Sequence, residues 1–371
     1  MGDASVTGSF DRSWRHLRGG SRAPVPSALC LLMFALTSMP QSLASDAPIT
    51  TTGMQRDVIF SEYSPLSSSM ELAQRLLSPL NSARIRRQLL RSGQALREQP
   101  VELAQERFAV YVPADTPARG YALLVFVPPW QDAMVPPGWP AVLDRHGMIY
   151  VSAAHSGNEE NVLDRREPLA LLAAQNIMHR YRVDPERVYI GGFSGGSRVA
   201  LRIALGYPDV FHGALLIAGS DPIGDAQGPL PPADLFRQVQ DSTRFVYLTG
   251  TDDAINVEKD AGSRQSLRAW CVFDLDTEVM PWTGHDVAEP SSLNHALAAL
   301  STRAPVDSPK LAQCRERVAR ELNLKLQQLA DVVASGKLNE AGTLLQKIDT
   351  RYGGLAAPRS LELSEQIDSS R

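Results

Sequence analysis

The chain has 371 residues, of which 43% are hydrophobic and 21% are charged. Such proportions are typical of globular proteins and exclude a chain that is disordered throughout. The formal net charge of −4 gives no reason to expect nucleic-acid binding. Three cysteines exclude a disulfide-rich scaffold and a cysteine-based zinc module.

The first 44 residues follow the order of an export signal. Four arginines precede an apolar run from Ala28 to Met39, and Ser42-Leu43-Ala44 supplies the small residues of a cleavage site. The run is shorter than the roughly 20 residues that span a bilayer as a helix. We therefore predict a signal peptide over residues 1–44 and an exported protein, periplasmic or extracellular, with no membrane span after cleavage. An uncleaved anchor or a misassigned start codon is the alternative.

Residues 45–104 are predicted to form a linker and an N-terminal helical segment. Residues 45–66 are polar and show no period. From Ser67 to about Leu96 the apolar residues recur with helical spacing, and Pro79 interrupts the pattern.

From residue 105 to residue 305, short apolar runs alternate with helical patterns. Several of the runs have almost no polar alternation, which is typical of strands covered on both faces. The predicted strands are Phe108–Val112, Tyr121–Val127, Met148–Ala153, Arg187–Ile190, Gly213–Ile217, Arg244–Leu248 and Thr277–Met280. The predicted helices between them are Leu169–Tyr181, Arg198–Leu205, Ala261–Trp270 and Ser292–Leu300. This alternation predicts a mostly parallel, doubly wound α/β sheet.

Residues 306–371 are predicted to form a C-terminal helical extension. An apolar stripe with spacings of three and four runs from Leu311 to Val333, and Gly336 can end that helix. A second helix follows up to Gly353-Gly354. We expect this hairpin to pack on the main domain through its one apolar face, and binding of a protein partner is the alternative.

Cys271 and Cys314 are the only cysteines after residue 44. In an oxidising compartment they can pair and close a loop between them. Two buried free thiols are equally compatible with the sequence.

The strongest chemical signal is Gly192-x-Ser194-x-Gly196, which stands between a predicted strand and a predicted helix. A nucleophile on so tight a turn needs small neighbours, because its backbone is crowded by the strand and the helix. The N-terminus of the helix favours developing negative charge. We interpret Ser194 as a catalytic nucleophile.

A serine nucleophile needs a base, and the base needs an orienting carboxylate. Asp253 follows a predicted strand and His285 follows the next one, so both are expected at the sheet edge that carries Ser194. Asp252 is the rival for the acid, but the third position after Gly250 favours Asp253. The remaining histidine downstream, His295, lies in a predicted helix, where a surface or packing role is expected.

Two backbone N–H groups are expected to bind the developing oxyanion. One is that of Gly195, directly after the nucleophile. The other comes from the loop after the strand Tyr121–Val127, which begins with Pro128-Pro129. Since proline has no N–H, we assign the second donor to Trp130, with Gln131 as the fallback.

These residues resemble the α/β-hydrolase superfamily, and within it most of all the exported esterases of the polyhydroxybutyrate depolymerase and feruloyl esterase group. The segments that carry the resemblance are Asp184–Gly196, Tyr207–Phe211, Gly250–Asp253 and Gly284-His285. The resemblance covers a little over half of the chain. It departs at Pro128-Pro129, where the group usually has His-Gly in the oxyanion loop.

The resemblance implies hydrolysis of carboxylic esters through an acyl-serine intermediate, without cofactor or metal. Only about 25 residues separate the strands Gly213–Ile217 and Arg244–Leu248, which leaves no room for a large lid. There is also no Thr-rich linker and no recognisable polymer-binding domain, so a small or oligomeric ester is the expected substrate. The alternatives are a serine peptidase of the same fold and a non-catalytic protein that binds a partner through its helical extensions.

Overall fold

The computed structural model describes residues 51–93, 95–305 and 307–370. The predicted signal peptide over residues 1–44 lies outside these ranges. From residue 51 onward the chain belongs to a single compact unit.

An eight-stranded sheet forms the centre of this unit. Its strands are β1 (Gly53–Val58), β2 (Phe108–Val112), β3 (Tyr121–Val127), β4 (Met148–Ala153), β5 (Val183–Phe193), β6 (Gly213–Ile217), β7 (Arg244–Gly250) and β8 (Leu275–Met280). They lie in the order β1-β2-β4-β3-β5-β6-β7-β8. Only β2 runs against its neighbours, and the remaining pairs are parallel. The predicted mostly parallel sheet is therefore confirmed, and its topology is that of an α/β-hydrolase fold.

The strand β3 shows why the sheet is covered on both faces. All seven of its residues are buried. Leu123, Val125 and Val127 pack into the core on one face, whereas Leu124 and Phe126 pack into the core on the other. Because side chains alternate along a strand, such a position requires an unbroken apolar run.

Helices cover both faces of the sheet. They are α1 (Ser69–Leu76), α2 (Pro79–Ser92), α3 (Trp139–His146), α4 (Glu167–Arg180), α5 (Gly195–Gly206), α6 (Ala233–Ser242), α7 (Ala254–Ala269), α8 (Pro290–Leu300), α9 (Ser308–Ala334), α10 (Leu338–Tyr352) and α11 (Arg359–Ser369). The core on one face includes α3 and α8, and the larger core on the other includes α4, α5 and α9 to α11. Within the described ranges, none of the helices combines the length and apolar character that a membrane crossing requires.

The structure adds four elements to those that the sequence predicts. The strand β1 lies within the stretch taken as a linker, and its exposed, polar edge position explains the lack of an apolar run. The helices α3 and α6 are too short for a helical period to be recognised in the sequence. The predicted C-terminal hairpin, α9 and α10, is followed by a third helix, α11.

The C-terminal helices are tied to the N-terminal helical segment. Asp349 in α10 accepts hydrogen bonds from the Ser78 hydroxyl and, at 3.0 Å, from the Leu80 N–H at the start of α2. Leu311 and Leu329 of α9 are buried in the larger core. The extension therefore packs on the sheet domain, and it also holds the first helices in place.

A disulfide bond joins Cys271, which follows α7, to Cys314 in α9. The two Cα atoms are 5.7 Å apart, within the usual range for a disulfide. The bond closes a loop of 43 residues and anchors α9 to the sheet domain. Of the two states that the sequence leaves open, a disulfide and two free thiols, the structure shows the disulfide.

We expect the Cys271→Ala/Cys314→Ala double variant to be less stable than the parent by about 4 kcal/mol. In the chain-entropy model this is the contribution of a loop of that length. Urea unfolding followed by circular dichroism measures the difference. Reducing the parent protein should lower its stability similarly and leave the double variant unchanged. Equal stabilities of oxidised parent and variant would show that the bond does not stabilise the fold.

Candidate active site

Ser194 occupies a strained turn between β5 and α5. Its backbone angles, φ of +55° and ψ of −119°, lie outside the regions that residues with a side chain normally adopt. The turn is held because the Ser194 N–H donates to the carbonyl of Ile217 at 2.8 Å, at the end of the neighbouring strand β6. This hydrogen bond therefore holds the strained turn, and with it the serine, at the carboxyl edge of the sheet.

The two glycines of the motif are required by close approach of backbone. A Cβ on Gly192 would lie 2.2 Å from the carbonyl oxygen of Gly196. A Cβ on Gly196 would lie 1.9 Å from the carbonyl oxygen of Val127, at the end of β3. No side chain fits at either position, which is the physical reason for the Gly-x-Ser-x-Gly pattern.

The structure brings Ser194, Asp253 and His285 together. The Nε2 atom of His285 lies 2.9 Å from the Ser194 hydroxyl, and its Nδ1 atom lies 2.7 Å from Oδ2 of Asp253. Asp253 follows β7 and His285 lies in the loop after β8, so all three residues stand at the same sheet edge. The imidazole side chain is 44% exposed and the carboxylate 7% exposed. This places an oriented base against the hydroxyl at an open surface.

A neighbouring amide fixes the Asp253 carboxylate. The Asn256 side chain donates to both carboxylate oxygens, at 2.9 and 2.7 Å. Burial by itself raises the pKa of Asp253, but the hydrogen bonds from Asn256 and His285 outweigh it, and the pKa lies below its ordinary value. Asp253 therefore stays ionised while it orients the imidazole. Asp252, by contrast, is exposed, and among the described residues its carboxylate accepts a hydrogen bond only from the Thr251 hydroxyl.

The backbone N–H groups of Gly195 and Trp130, which we predict to bind the oxyanion, donate to no protein acceptor within the described residues. Gly195 is the first residue of α5, and Trp130 lies in the loop after β3. That loop is packed directly against the turn, since the backbone of Val127 and Pro128 contacts Gly196. Such preorganised, unpaired donors are what stabilisation of a developing oxyanion requires.

The Trp130 side chain lines the site. Its ring packs on Phe126 and Phe193, with centroids 6.4 and 6.2 Å apart. Phe193 in turn packs on the imidazole of His285 at 4.9 Å. The indole Nε1 of Trp130 is buried and has no hydrogen-bond partner within the described part of the chain. An aromatic wall therefore supports the histidine beside the serine.

Arg166 holds the oxyanion loop and is not found by sequence reasoning. Its side chain is buried and donates to the carbonyls of Ser156 at 2.8 Å and Pro128 at 2.9 Å. Burial lowers the pKa of its guanidinium to about 10, so the group is still charged near neutral pH. The Asn158 N–H also donates to the carbonyl of Pro129, at 3.0 Å. The loops after β3 and β4 are thus joined around a buried cation.

The arginine carries no local signal, because its partners are backbone carbonyls far away in the sequence. Asp253 does carry one, since an Asp whose side chain accepts a hydrogen bond from the backbone N–H three residues later, here that of Asn256 at 3.4 Å, is typical of a helix start. Asp253 is indeed the N-cap of α7. His295 is exposed on α8 and does not contribute to the cluster.

A second buried carboxyl belongs to α7, the helix that starts after Asp253. Asp260 in α7 accepts a hydrogen bond from the Ser220 N–H at 2.8 Å and one from the Thr249 hydroxyl. The Ser220 hydroxyl pairs with that of Ser197 in α5 at 2.9 Å. Burial raises the pKa of Asp260 to about 6. This network connects the ends of β6 and β7 with the helix that follows the nucleophile.

A cavity of about 840 Å³ lies between α2, α6 and α11. None of the predicted site residues lines it. Within the described ranges, no group of three or more His, Cys, Asp or Glu side chains is arranged to hold a metal ion.

We expect Arg166→Lys to slow the reaction of Ser194 with a fluorophosphonate about tenfold or more. Lysine keeps the charge but lacks the planar fork that reaches both carbonyls, so the loop with the Trp130 N–H moves. Labelling rates measured by mass spectrometry test this. Arg187→Lys is the matched control, because Arg187 also donates to a loop carbonyl, that of Gly120. An unchanged rate for Arg166→Lys would exclude a positioning role.

We expect Asp260→Asn to remove part of the pH dependence of stability. The folded pKa, about 6, exceeds the unfolded value of about 3.9, so the folded state holds this proton more tightly. The free energy of unfolding of the parent therefore falls by up to about 3 kcal/mol as the pH rises from about 4 to 6. Asparagine does not titrate; its oxygen can accept from the Ser220 N–H while its NH2 donates to the Thr249 hydroxyl. Urea unfolding at pH 4.5 and pH 7.5 should show a smaller difference for the variant, and an equal difference would contradict the assignment.

Comparisons with known proteins find similarity over short segments of the chain. No family model matches the chain. It is 42% identical over 59 residues to NocK of Nocardia uniformis subsp. tsuyamanensis, which is named as an esterase, covering 15% of this chain and 17% of that protein. It is 35% identical over 95 residues to poly(3-hydroxyalkanoate) depolymerase C of Paucimonas lemoignei, covering 22% and 23%. The chain thus matches about a fifth of the length of these curated relatives.

Among solved structures, a ferulic acid esterase is 18% identical with a TM-score of 0.39, covering 52% of this chain and 89% of that one. The order of its strands gives the chain an α/β-hydrolase fold, and over short segments the chain resembles proteins named as an esterase and as a poly(3-hydroxyalkanoate) depolymerase.

Proposed function

We propose that this protein is an exported serine hydrolase that cleaves carboxylic esters. The observation that carries the proposal is the hydrogen-bonded series from Asp253 through His285 to the hydroxyl of Ser194 on its strained turn. The names of the curated relatives, an esterase and a depolymerase, favour ester bonds over peptide bonds.

In the proposed first step, the Ser194 oxygen attacks the carbonyl carbon of the ester while Nε2 of His285 takes its proton. Asp253 accepts a hydrogen bond from Nδ1 and stabilises the resulting imidazolium. The carbonyl oxygen becomes an oxyanion, which the N–H groups of Gly195 and Trp130 bind. His285 then gives the proton to the leaving alcohol oxygen as the carbon–oxygen bond breaks, and an acyl-serine remains.

The second half of the proposed reaction repeats these roles with water. His285 removes a proton from a water molecule as its oxygen attacks the acyl carbon, and the oxyanion forms again in the same place. When it collapses, the bond to Ser194 breaks and the serine regains its proton from His285. The products are a carboxylic acid and an alcohol, and no cofactor takes part.

The proposed substrate is a small or oligomeric ester. The loop between β6 and α6, residues 218–232, is short, and the side chain of His285 is 44% exposed. An open site of this kind accepts substrates without the movement of a large lid. We assign residues 105–305 as the catalytic part, with residues 45–104, which add the edge strand β1 and the first helices, and the helical residues 306–371 as supporting segments.

Export is part of the proposal. The order of residues in 1–44 supports a signal peptide, and the Cys271–Cys314 disulfide is typical of an oxidising compartment. The proposed location is therefore the periplasm or the outside of the cell.

A fluorophosphonate probe tests the nucleophile without knowledge of the substrate. We expect purified residues 45–371 to be labelled at Ser194, as located by peptide mapping. Ser194→Ala should abolish labelling, and His285→Ala should slow it by about 10³-fold or more because the hydroxyl loses its base. A panel of esters then measures turnover.

His295→Ala is the matched control, because His295 is an exposed histidine of the same domain outside the cluster. It should react like the parent. A folded protein that the probe does not label would refute the hydrolase proposal and favour a non-catalytic binding role. Labelling with cleavage of peptides but not of esters would assign a peptidase instead.

A further inference from the structure

The first residues of the loops around the triad carry acidic side chains but neither lysine nor arginine; Arg165 and Arg166 come later, at the end of the connection after β4. These segments are residues 128–138, 154–161, 218–232, 251–253 and 281–289, which follow the strands that end at the catalytic edge of the sheet. Their acidic residues are Asp132, Glu159, Glu160, Asp221, Asp225, Asp252, Asp253, Asp286 and Glu289. Because the protein's net charge is only −4, this is a local concentration of negative charge.

Nearby arginines neutralise only part of the negative charge of these loops. Arg165 lies 3.6 Å from Glu160 and Arg198 lies 3.2 Å from Asp221, and the buried Arg166 adds a third cation. Five exposed acids have no ion-pair partner among the described residues. They are Asp132, Glu159, Asp252, Asp286 and Glu289.

Three of these acids are adjacent to residues of the site. Asp252 precedes the triad aspartate, and Asp286 follows the triad histidine. Glu159 accepts a hydrogen bond from the Gln131 side chain at 3.3 Å, next to the oxyanion loop. Negative charge is thus present in the loops that hold Asp253 and His285 and beside the loop that holds Trp130.

Apolar side chains lie beside the same residues. Trp282, in the loop before His285, is 90% exposed. Ile255, two residues after Asp253, is 69% exposed, and Met134 in the oxyanion loop is 38% exposed. Trp282 has a positive φ of 57°, and its N–H donates to the Thr251 hydroxyl at 2.9 Å, so its exposed position is fixed by the backbone.

We propose that this site selects uncharged, apolar esters and discriminates against esters that carry a carboxylate. The inference rests on the proposed ester hydrolysis. Several like charges around a small site repel an anionic substrate over a Debye length of about 8 Å at physiological salt. The exposed apolar side chains favour a hydrophobic acyl or alcohol group by removing its surface from water.

The same charges act on the products. Hydrolysis turns a neutral ester into a carboxylate and an alcohol, and the carboxylate is repelled as soon as it forms. An oligomeric ester with a free carboxylate end is therefore cleaved preferentially at bonds away from that end.

Two esters of similar size and the same leaving group test the proposal, p-nitrophenyl butyrate and the p-nitrophenyl monoester of succinic acid. We expect kcat/KM for the neutral ester to exceed that for the anionic ester about tenfold at low ionic strength, after correction for their uncatalysed reactivity. In 0.5 M NaCl the ratio should fall several-fold, because the salt screens the charges.

Asp132→Asn and Asp252→Asn, alone and combined, should each raise kcat/KM for the anionic ester. Both carboxylates are exposed and neither bonds to backbone N–H groups. Asp115→Asn is the matched control, since Asp115 is an exposed acid before β3, at the opposite edge of the sheet. It should leave both rates unchanged.

Equal kcat/KM for the two esters, or a ratio that neither salt nor the two variants change, would overturn the charge selection while ester hydrolysis stands. Labelling of Ser194 by a neutral fluorophosphonate is measured in parallel. A protein that is neither labelled nor active on either ester would overturn the proposed function and this inference together.

Discussion

The close contact between the turn at Ser194 and the end of β3 is the constraint on which the site depends. Gly196 lies so near the carbonyl of Val127 that no side chain fits between them. The contact places the nucleophile, the N-terminus of α5 and the oxyanion loop side by side. Arg166 holds the loop after β3 by donating to the carbonyl of Pro128, and the Asn158 N–H donates to the carbonyl of Pro129. Because Pro128 and Pro129 have no N–H of their own, the loop is held at these positions through its carbonyl acceptors.

The sequence predicts most of what this arrangement requires. The bounds of β2, β3, β4 and β6 agree with the prediction, because strands that are covered on both faces are continuous apolar runs. The break at Pro79 is confirmed, since α1 ends at Leu76 and α2 begins at the proline. The cluster of Ser194, Asp253 and His285 is predictable because each residue follows a strand of a parallel sheet. The catalytic roles of these residues remain predictions.

The features of the structure that the sequence does not predict are those that leave no local pattern in it. The edge strand β1 is half exposed and therefore lacks an apolar run. Arg166 bonds to carbonyls that are brought near only by the completed sheet. The acidic residues around Ser194 are distributed over five loops that are far apart in the chain, so their proximity becomes visible only when the strand order is known. On the proposed mechanism, these carboxylates also stabilise the positive charge that His285 acquires in each step, while they repel the carboxylic acid that the reaction produces.

The hydrogen bonds between α2 and α10 have a consequence for the timing of folding. Ser78 and Leu80 meet Asp349 across 271 and 269 positions of the chain, respectively. A chain made from its N-terminus lacks this partner until nearly all of it has been synthesised. Contacts of such long range form late and slowly. The first helices thus lack these hydrogen bonds until synthesis is nearly complete, which suits the proposed export of the chain before it folds.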